Sequence, residues 1–245
     1  MQFFVNIFNV VLYRPLFNAL VFLYEYLPGH DFGIAIIVLT IIIRFLLYPL
    51  MTQSIRSQKV LSGLQPKIQE IQSKYKDDKE KQGRAMMELY QREKINPLGG
   101  CLPLLIQLPI LIALYQVFWK GFQPEQLKNL YSFVHFSGQI NPLFLGIVNL
   151  DQPSVFLAVL AGVTQFIQTK MMTPKTKKTE GKKDQMGQFS EIMQKQMLYI
   201  LPLFTVFILW RLPAALAVYW ILTALFSIGQ QYLIFKKTIY EPAKS

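Results

Sequence analysis

One cysteine, Cys101, and two histidines, His30 and His135, stand in a chain of 245 residues. A single thiol excludes an internal disulfide and any cysteine-based metal cluster. The histidines fall at the very edge of an apolar run (His30) or between runs (His135), and far apart in sequence. They offer neither a metal pair nor a base beside a nucleophile. There is no glycine-rich nucleotide loop, no GxSxG, no HExxH and no pair of carboxylates inside an apolar run. No enzymatic activity, cofactor or metal is therefore expected. No internal repeat marks an inverted-repeat transporter. Acids are scarce, 14 against 25 Lys and Arg, and all of them lie at the ends of, or between, the apolar runs.

What the chain does have is apolar length. It is 52% apolar and only 16% charged, with apolar residues in blocks of about 20, the pattern of membrane spans. Residues 30–52 are the first, followed by 98–119, 154–172, 190–211 and 212–235. The last two are separated at Arg211-Leu212-Pro213, since one helix over 190–235 would run about 69 Å. The expected fold is an all-α integral membrane protein with a five-helix core.

The first span organises the rest. In DFGIAIIVLTIIIRFLLYPLMT (31–52) the one ionised side chain after Asp31 is Arg44. Read as one straight helix of about 33 Å, the span puts Arg44 roughly 13 Å inside the membrane. A charge at the centre of a span costs on the order of 2.5–3.5 kcal/mol on insertion scales, and no acid within an apolar run is there to pair with it. Two readings follow. Arg44 either snorkels toward the headgroups or faces a water-filled cavity. Thr40 and Tyr48, one turn to either side, share its helix face, and that polar stripe favours the cavity.

Twenty of the 25 basic residues fall in 53–97, 170–195 and the tail after 235. By the positive-inside rule these segments are cytoplasmic, which places the N-terminus outside and the C-terminus inside. The net charge of +11 thus reflects orientation and attraction to anionic lipid rather than DNA binding. Residues 53–97 read as a cytoplasmic helical hairpin. Leu61, Leu64, Ile68, Ile71 and Tyr75 follow coiled-coil spacing, Lys76-Asp77-Asp78-Lys79 makes the turn, and Met86, Met87, Leu89, Tyr90 and Ile95 serve a returning helix. Residues 173–189 are a flexible Lys-rich loop, 120–153 an extracytoplasmic segment of short helices, and 236–245 a cytoplasmic tail. Residues 1–29 are interrupted by Arg14-Pro15 and by Asn6, Asn9 and Asn18. As a sixth span they would bury Arg14 without a partner, so an amphipathic helix in the outer interface is expected. Leu98-Gly99-Gly100-Cys101 imitates a lipoprotein processing site but lies far into the chain.

Among the polar residues within the spans are Gln107, Thr164, Gln165, Gln168, Tyr219, Trp220, Thr223 and Ser227. Gln107, Gln165 and Gln168 are candidate groove residues, although amides in a membrane also join helices by hydrogen bonds. Trp220 lies too deep for an interfacial belt and is a candidate cavity wall.

The motifs TIIIRFLLYPL, NPLGGCLPLLIQLPILIALYQVF and LPLFTVFILWRLPAALAVYW followed by GQQYLI, with the charged hairpin, resemble the YidC/Oxa/Alb membrane protein insertases. The likeness is to the short bacterial form without the large periplasmic domain. It covers the chain from about residue 30. It implies a hydrophilic groove open to cytoplasm and lipid but closed to the outside, with Arg44, Thr40 and the pair Tyr219-Trp220 on the groove wall. It also implies a multi-pass protein of the bacterial inner membrane that moves nascent membrane proteins into the bilayer, Arg44 attracting a polar or acidic substrate tail. The long basic tail of mitochondrial members is not seen. The hairpin and Lys-rich loop are thus the expected contacts for the ribosome, the signal recognition particle receptor and the Sec translocon. The alternatives are a small anion or solute transporter with Arg44 as its binding charge, and an assembly chaperone that holds helices without inserting them.

Overall fold

The computed structural model describes residues 2–93, 96, 99, 102–120, 124–136, 140–173 and 195–240. Among them the helices are α1 (Gln2–Tyr26), α2 (Phe32–Leu46), α3 (Tyr48–Gly63), α4 (Gln65–Lys74), α5 (Lys79–Arg92), α6 (Leu102–Lys120), α7 (Val155–Met172), α8 (Gln196–Leu209) and α9 (Ala214–Tyr240). A two-stranded antiparallel ribbon, β1 (Leu143–Phe144) and β2 (Val148–Asn149), precedes α7. The Lys-rich stretch 174–189, the start of the expected fourth span, Cys101 with Leu98 and Gly100, Ile95, and the tail from 241 lie outside the described residues.

α9 is the central helix and packs against α2, α3, α6, α7 and α8. Its start, Ala214-Ala215-Leu216-Ala217, is buried to 1% exposure or less, because small side chains let neighbouring backbones close in. The first free N–H groups of α9 donate to Gln152 O and Leu150 O, each at 3.0 Å. Gly162 serves the α7–α8 contact: a side chain there would collide with Val206.

The ribbon caps one end of the bundle. Leu145 (φ 51°) and Gly146 (φ 69°) make its turn. Asp31 ties it to α2, one carboxylate oxygen accepting from Ile34 N at 2.9 Å as the helix cap and the other from Leu145 N at 2.6 Å. Gly33 lets Phe144 lie directly on α2. A ribbon with one 3-10 turn, Pro124–Asn129, thus stands where the sequence predicts only short helices. The paired positive φ values at 145–146 make the reversal, which hydrophobic periodicity does not report.

The first apolar run departs from the straight span of the sequence reading. α2 ends at Leu46 after 15 residues, a length of about 22 Å, and the chain turns by 65° into α3. The cause is Tyr48-Pro49. Proline lacks the N–H that would continue the ladder and disfavours helical backbone in the residue before it. Arg44 therefore sits in the last turn of α2, not some 13 Å within a straight rod.

α3, α4 and α5 form a basic helical protrusion at the end of the bundle opposite the ribbon. Leu64 and Ile68 are buried between α4 and its neighbours, and Gln82 Nε2 donates to Gln72 O at 3.1 Å to bind α5 to α4. Asp78 caps α5 by accepting from Lys81 N at 3.0 Å.

The side surface is lipid-facing. Phe45, Leu46, Phe156, Val159, Val163, Leu203, Phe204, Phe207 and Leu225 are large apolar side chains exposed on the surface, more than water tolerates on one molecule. The chain is an all-α integral membrane protein. By length and apolarity α1, α7 and residues 214–236 of α9 each suffice to cross a bilayer, and α2 with α3 makes a fourth, bent candidate. The apolar parts of α6 (Leu105–Trp119) and α8 are shorter than the blocks of about 20 in the sequence reading.

Although α1 is long enough to span, its polar contacts hold it to the ribbon end. Tyr13 OH donates to Gln126 Oε1 at 2.8 Å, Asn18 Nδ2 to Asn129 O at 3.1 Å, and Asn141 N to Tyr24 OH at 2.9 Å. These bonds cover about 16 Å of helix, and all reach the segment between α6 and the ribbon. α1 is thus bonded to the ribbon end along this stretch, and it also packs on α2 and α6.

Candidate functional site

Tyr219, Thr223, Ser227 and Gln230 recur at helical spacing along α9 and form a polar line on one face. That face meets α6, α2 and α3 in turn. Gln107 Nε2 on α6 donates to Tyr219 OH at 2.6 Å. Arg44 Nη2 on α2 donates to Thr223 O at 2.8 Å and to Ser227 Oγ at 2.9 Å. Gln230 Nε2 donates to Thr52 Oγ1 at 2.8 Å and to Tyr48 O at 3.1 Å, latching α9 to the bend. The result is a continuous polar seam inside an apolar bundle, running toward the hairpin end.

Arg44 is the charge in this seam. It is 6% exposed. The described ion pairs all lie in the hairpin (Lys67–Glu93, Lys81–Asp78 and Arg84–Glu80), so the guanidinium has no described carboxylate beside it. Two features make its position tolerable. A carbonyl and a hydroxyl of α9 take one nitrogen, and the last turn of α2 carries the negative end of the helix dipole. Satisfaction is incomplete. Arg44 Nε is buried with no hydrogen-bond partner, and so is Thr223 Oγ1. An unmet buried polar group costs about 1–3 kcal/mol, more when charged.

The sequence reading expected Arg44 to face a water-filled cavity. The structure buries it against α9. A cavity of about 330 Å³ opens at the bend, with Thr52, Gln53, Arg56, Ser57 and Glu93 among its walls. Thr52 belongs to both seam and cavity, so the polar line ends at an opening on the hairpin side.

The remaining predicted residues divide. Thr40 is buried beside the seam, one turn before Arg44, and its hydroxyl donates to its own helix at Ile36 O, 2.6 Å away. Trp220 and Gln165 form a separate pair on the α7 side of α9, Trp220 Nε1 donating to Gln165 Oε1 at 3.1 Å. Tyr219 and its neighbour Trp220 thus point to different partners, as a step of one residue around a helix requires. Gln168 is half-buried and makes no hydrogen bond among the described residues. Thr52, Ser227 and Gln230 were not among the predicted site residues. Their signal was the polar repeat on an apolar helix, visible at Tyr219, Thr223 and Ser227 and extending to Gln230.

Outside the membrane-spanning helices, Lys67 Nζ lies 2.7 Å from Glu93 Oε1 and holds that carboxyl below the usual glutamate range.

Comparison with known proteins adds the following. Residues 22–241 match the family described as 60Kd inner membrane protein. A membrane protein insertase YidC of Geobacter metallireducens is 35% identical over 236 residues, covering 96% of this chain and 38% of that protein. One from Geobacter sulfurreducens is 36% identical over 226 residues, covering 91% and 37%. One from Fusobacterium nucleatum is 36% identical over 209 residues, covering 84% and 87%. The chain thus spans under two fifths of the length of the two Geobacter relatives and most of the Fusobacterium one.

Proposed function

The chain belongs to the 60Kd inner membrane protein family, that of the YidC/Oxa proteins, and on that premise we propose that it is a membrane protein insertase. Its basic hairpin end faces the cytoplasm, where 53–97 and 170–195 carry 17 of the 25 Lys and Arg. Its ribbon end faces outward, with α1 lying in the outer interface.

The polar tail of a single-span substrate enters through the opening at the bend. It then replaces Ser227 and the Thr223 carbonyl as the acceptor for Arg44. The unmet Nε of Arg44 and Oγ1 of Thr223 make that replacement favourable, and an acidic tail gains most from it. The seam shortens the hydrocarbon path the tail must cross. The substrate's apolar helix leaves sideways along α2 and α9 into lipid, and transfer at about 0.8 kcal/mol per CH₂ supplies the driving force. No nucleotide is needed for this step. Thr40, Gln107 and Tyr219 line the path near Arg44, while Gln165, Gln168 and Trp220 serve the α7 side. The hairpin and the Lys-rich loop dock the ribosome, the signal recognition particle receptor or the Sec translocon.

The observation that carries this reading is a buried guanidinium with unused donors and no described carboxylate partner, in a seam that opens toward the basic end. The test is insertion of a substrate with an acidic outer tail into liposomes bearing the purified chain. Arg44→Ala is expected to slow insertion by about tenfold or more, the scale of a lost charged hydrogen bond, and Arg44→Lys to retain part of it. Equal insertion by Arg44→Ala contradicts the role given to the charge.

A further inference from the structure

A second cavity, of about 210 Å³, lies at the ribbon end and is lined by Asn9, Tyr13, Arg14, Gln116, Gln126 and Asn129. Among the described residues its wall holds one cation, no carboxylate and four amides. A π-turn over Asn9–Tyr13 adds a residue to the turn of α1, so that Asn9, Tyr13 and Arg14 reach one side. Such turns inside α-helices are frequent at functional sites.

Two acceptors at this wall, Gln126 Oε1 and Asn129 O, are already in use, while several of its donors are not. Gln126 Oε1 accepts from Tyr13 OH at 2.8 Å and from Asn129 Nδ2 at 3.0 Å. Asn129 O accepts from Asn18 Nδ2 at 3.1 Å and from Arg14 Nε at 3.4 Å. That leaves the Gln126 amide N–H groups, the terminal nitrogens of Arg14, and the amides of Asn9 and Gln116 without acceptors among the described residues. The Arg14 guanidinium stands 5.3 Å from the Tyr131 ring centroid, a contact that steadies the cation without neutralising it. A cavity with one fixed positive charge and surplus N–H donors fits a singly charged oxyanion. Val10 and Val11 on α1, and Leu127 and Phe133 across from it, are exposed beside these residues and offer apolar surface to acyl chains.

We propose that this cavity holds the phosphodiester of an outer-leaflet phospholipid, gripped by Arg14 and the amides of Gln116 and Gln126, and anchors α1 to the bilayer surface. The assignment rests on the ribbon end facing the outer interface and is independent of insertion, because it is read as binding.

The probe is dihexanoyl-phosphatidylglycerol, added below its micelle concentration to the full chain in a non-ionic detergent and followed by native mass spectrometry. Wild type is expected to retain it. Arg14→Gln should weaken retention by about tenfold or more, and Arg14→Lys by less, since lysine keeps the charge but not the fork. Gln116→Leu, on a different helix, should weaken it several-fold and serves if Arg14→Gln does not fold. Dihexanoylglycerol, which lacks the phosphate, should show no Arg14-dependent binding, and inorganic phosphate should bind far more weakly than the lipid. Unchanged retention in Arg14→Gln and Gln116→Leu overturns the proposal. So does inorganic phosphate binding as tightly as the lipid, which would mean a free-anion site. Either result leaves the reading of Arg44 untouched.

Discussion

Arg44 and Arg14 both sit within apolar helices, both lack a carboxylate among the described residues, and they are held in different ways. Arg44 is buried at the hairpin end, one nitrogen shared between a carbonyl and a hydroxyl of α9. Arg14 is half-buried at the ribbon end, stacked near an aromatic ring beside an open polar cavity. A lone cation in a membrane protein is therefore not one kind of object. Where it is enclosed, the protein supplies just enough acceptors to keep it folded and leaves a donor unmet, and a transient guest can take that place. Where it stands beside an open cavity, its terminal nitrogens stay available for the resident anion proposed above.

The most forceful way to erase this contrast is to give Arg44 the acid it lacks. Ser227→Asp places a carboxylate where Oγ now lies 2.9 Å from Nη2. Insertion of an acidic-tailed substrate is expected to fall by about tenfold or more, since a charged hydrogen bond is worth about 1.5–3 kcal/mol. Thermal unfolding in detergent should not be lowered. An unfolded Ser227→Asp variant, or an active one, counts against competition at the guanidinium.

A smaller effect is expected at the latch. Gln230→Leu removes both bonds to the bend while Thr52 Oγ1 still donates to Tyr48 O, so each lost bond costs about 0.5–1.5 kcal/mol locally. Amide hydrogen exchange over residues 48–56 should quicken, with residues 214–222 at the other end of α9 unchanged.

The smallest effect belongs to the hairpin, where charge pairs are exposed and the seam has no part. Glu93 has its folded pKa lowered by Lys67, so its contribution is present above the ordinary glutamate pKa of about 4.3. It fades as pH falls through the lower folded value. Exchange in α4 and α5 should rise slightly on acidification, and Lys67→Met should remove that increment. α2 and α9, whose seam contains no acid, should not follow it.

Much of this molecule was legible in the chain. Long apolar runs gave the helices of the bundle. Asp31 and Ser154 stand at helix starts as capping residues should, and both cap: Ser154 Oγ accepts from Leu157 N at 3.4 Å. Arg44 stood out because no acid shared its run. The bend is written in Tyr48-Pro49 but is outweighed by an unbroken apolar stretch, which reads as one straight helix. α1 was read as lying in the interface, although its length and apolarity alone permit a crossing. Its bonds to residues 126–141 bear on that choice, and no local pattern in 1–29 contains them. The partners of Arg44 lie some 180 residues away in sequence. Periodicity shows which face of α9 is polar but not which helix that face meets, and so Tyr219 and Trp220, adjacent in sequence, were grouped although they serve opposite sides.

The central claim is that a translocating chain passes along the Arg44 face of α9. A photoreactive amino acid at Thr223 and, in a parallel sample, at Trp220 separates the two faces while a stalled nascent chain with an acidic tail occupies the protein. The account predicts crosslinks from position 223 to the tail, lost on adding Arg44→Ala, and far fewer from position 220. Strong crosslinks from 220 with none from 223 would contradict it.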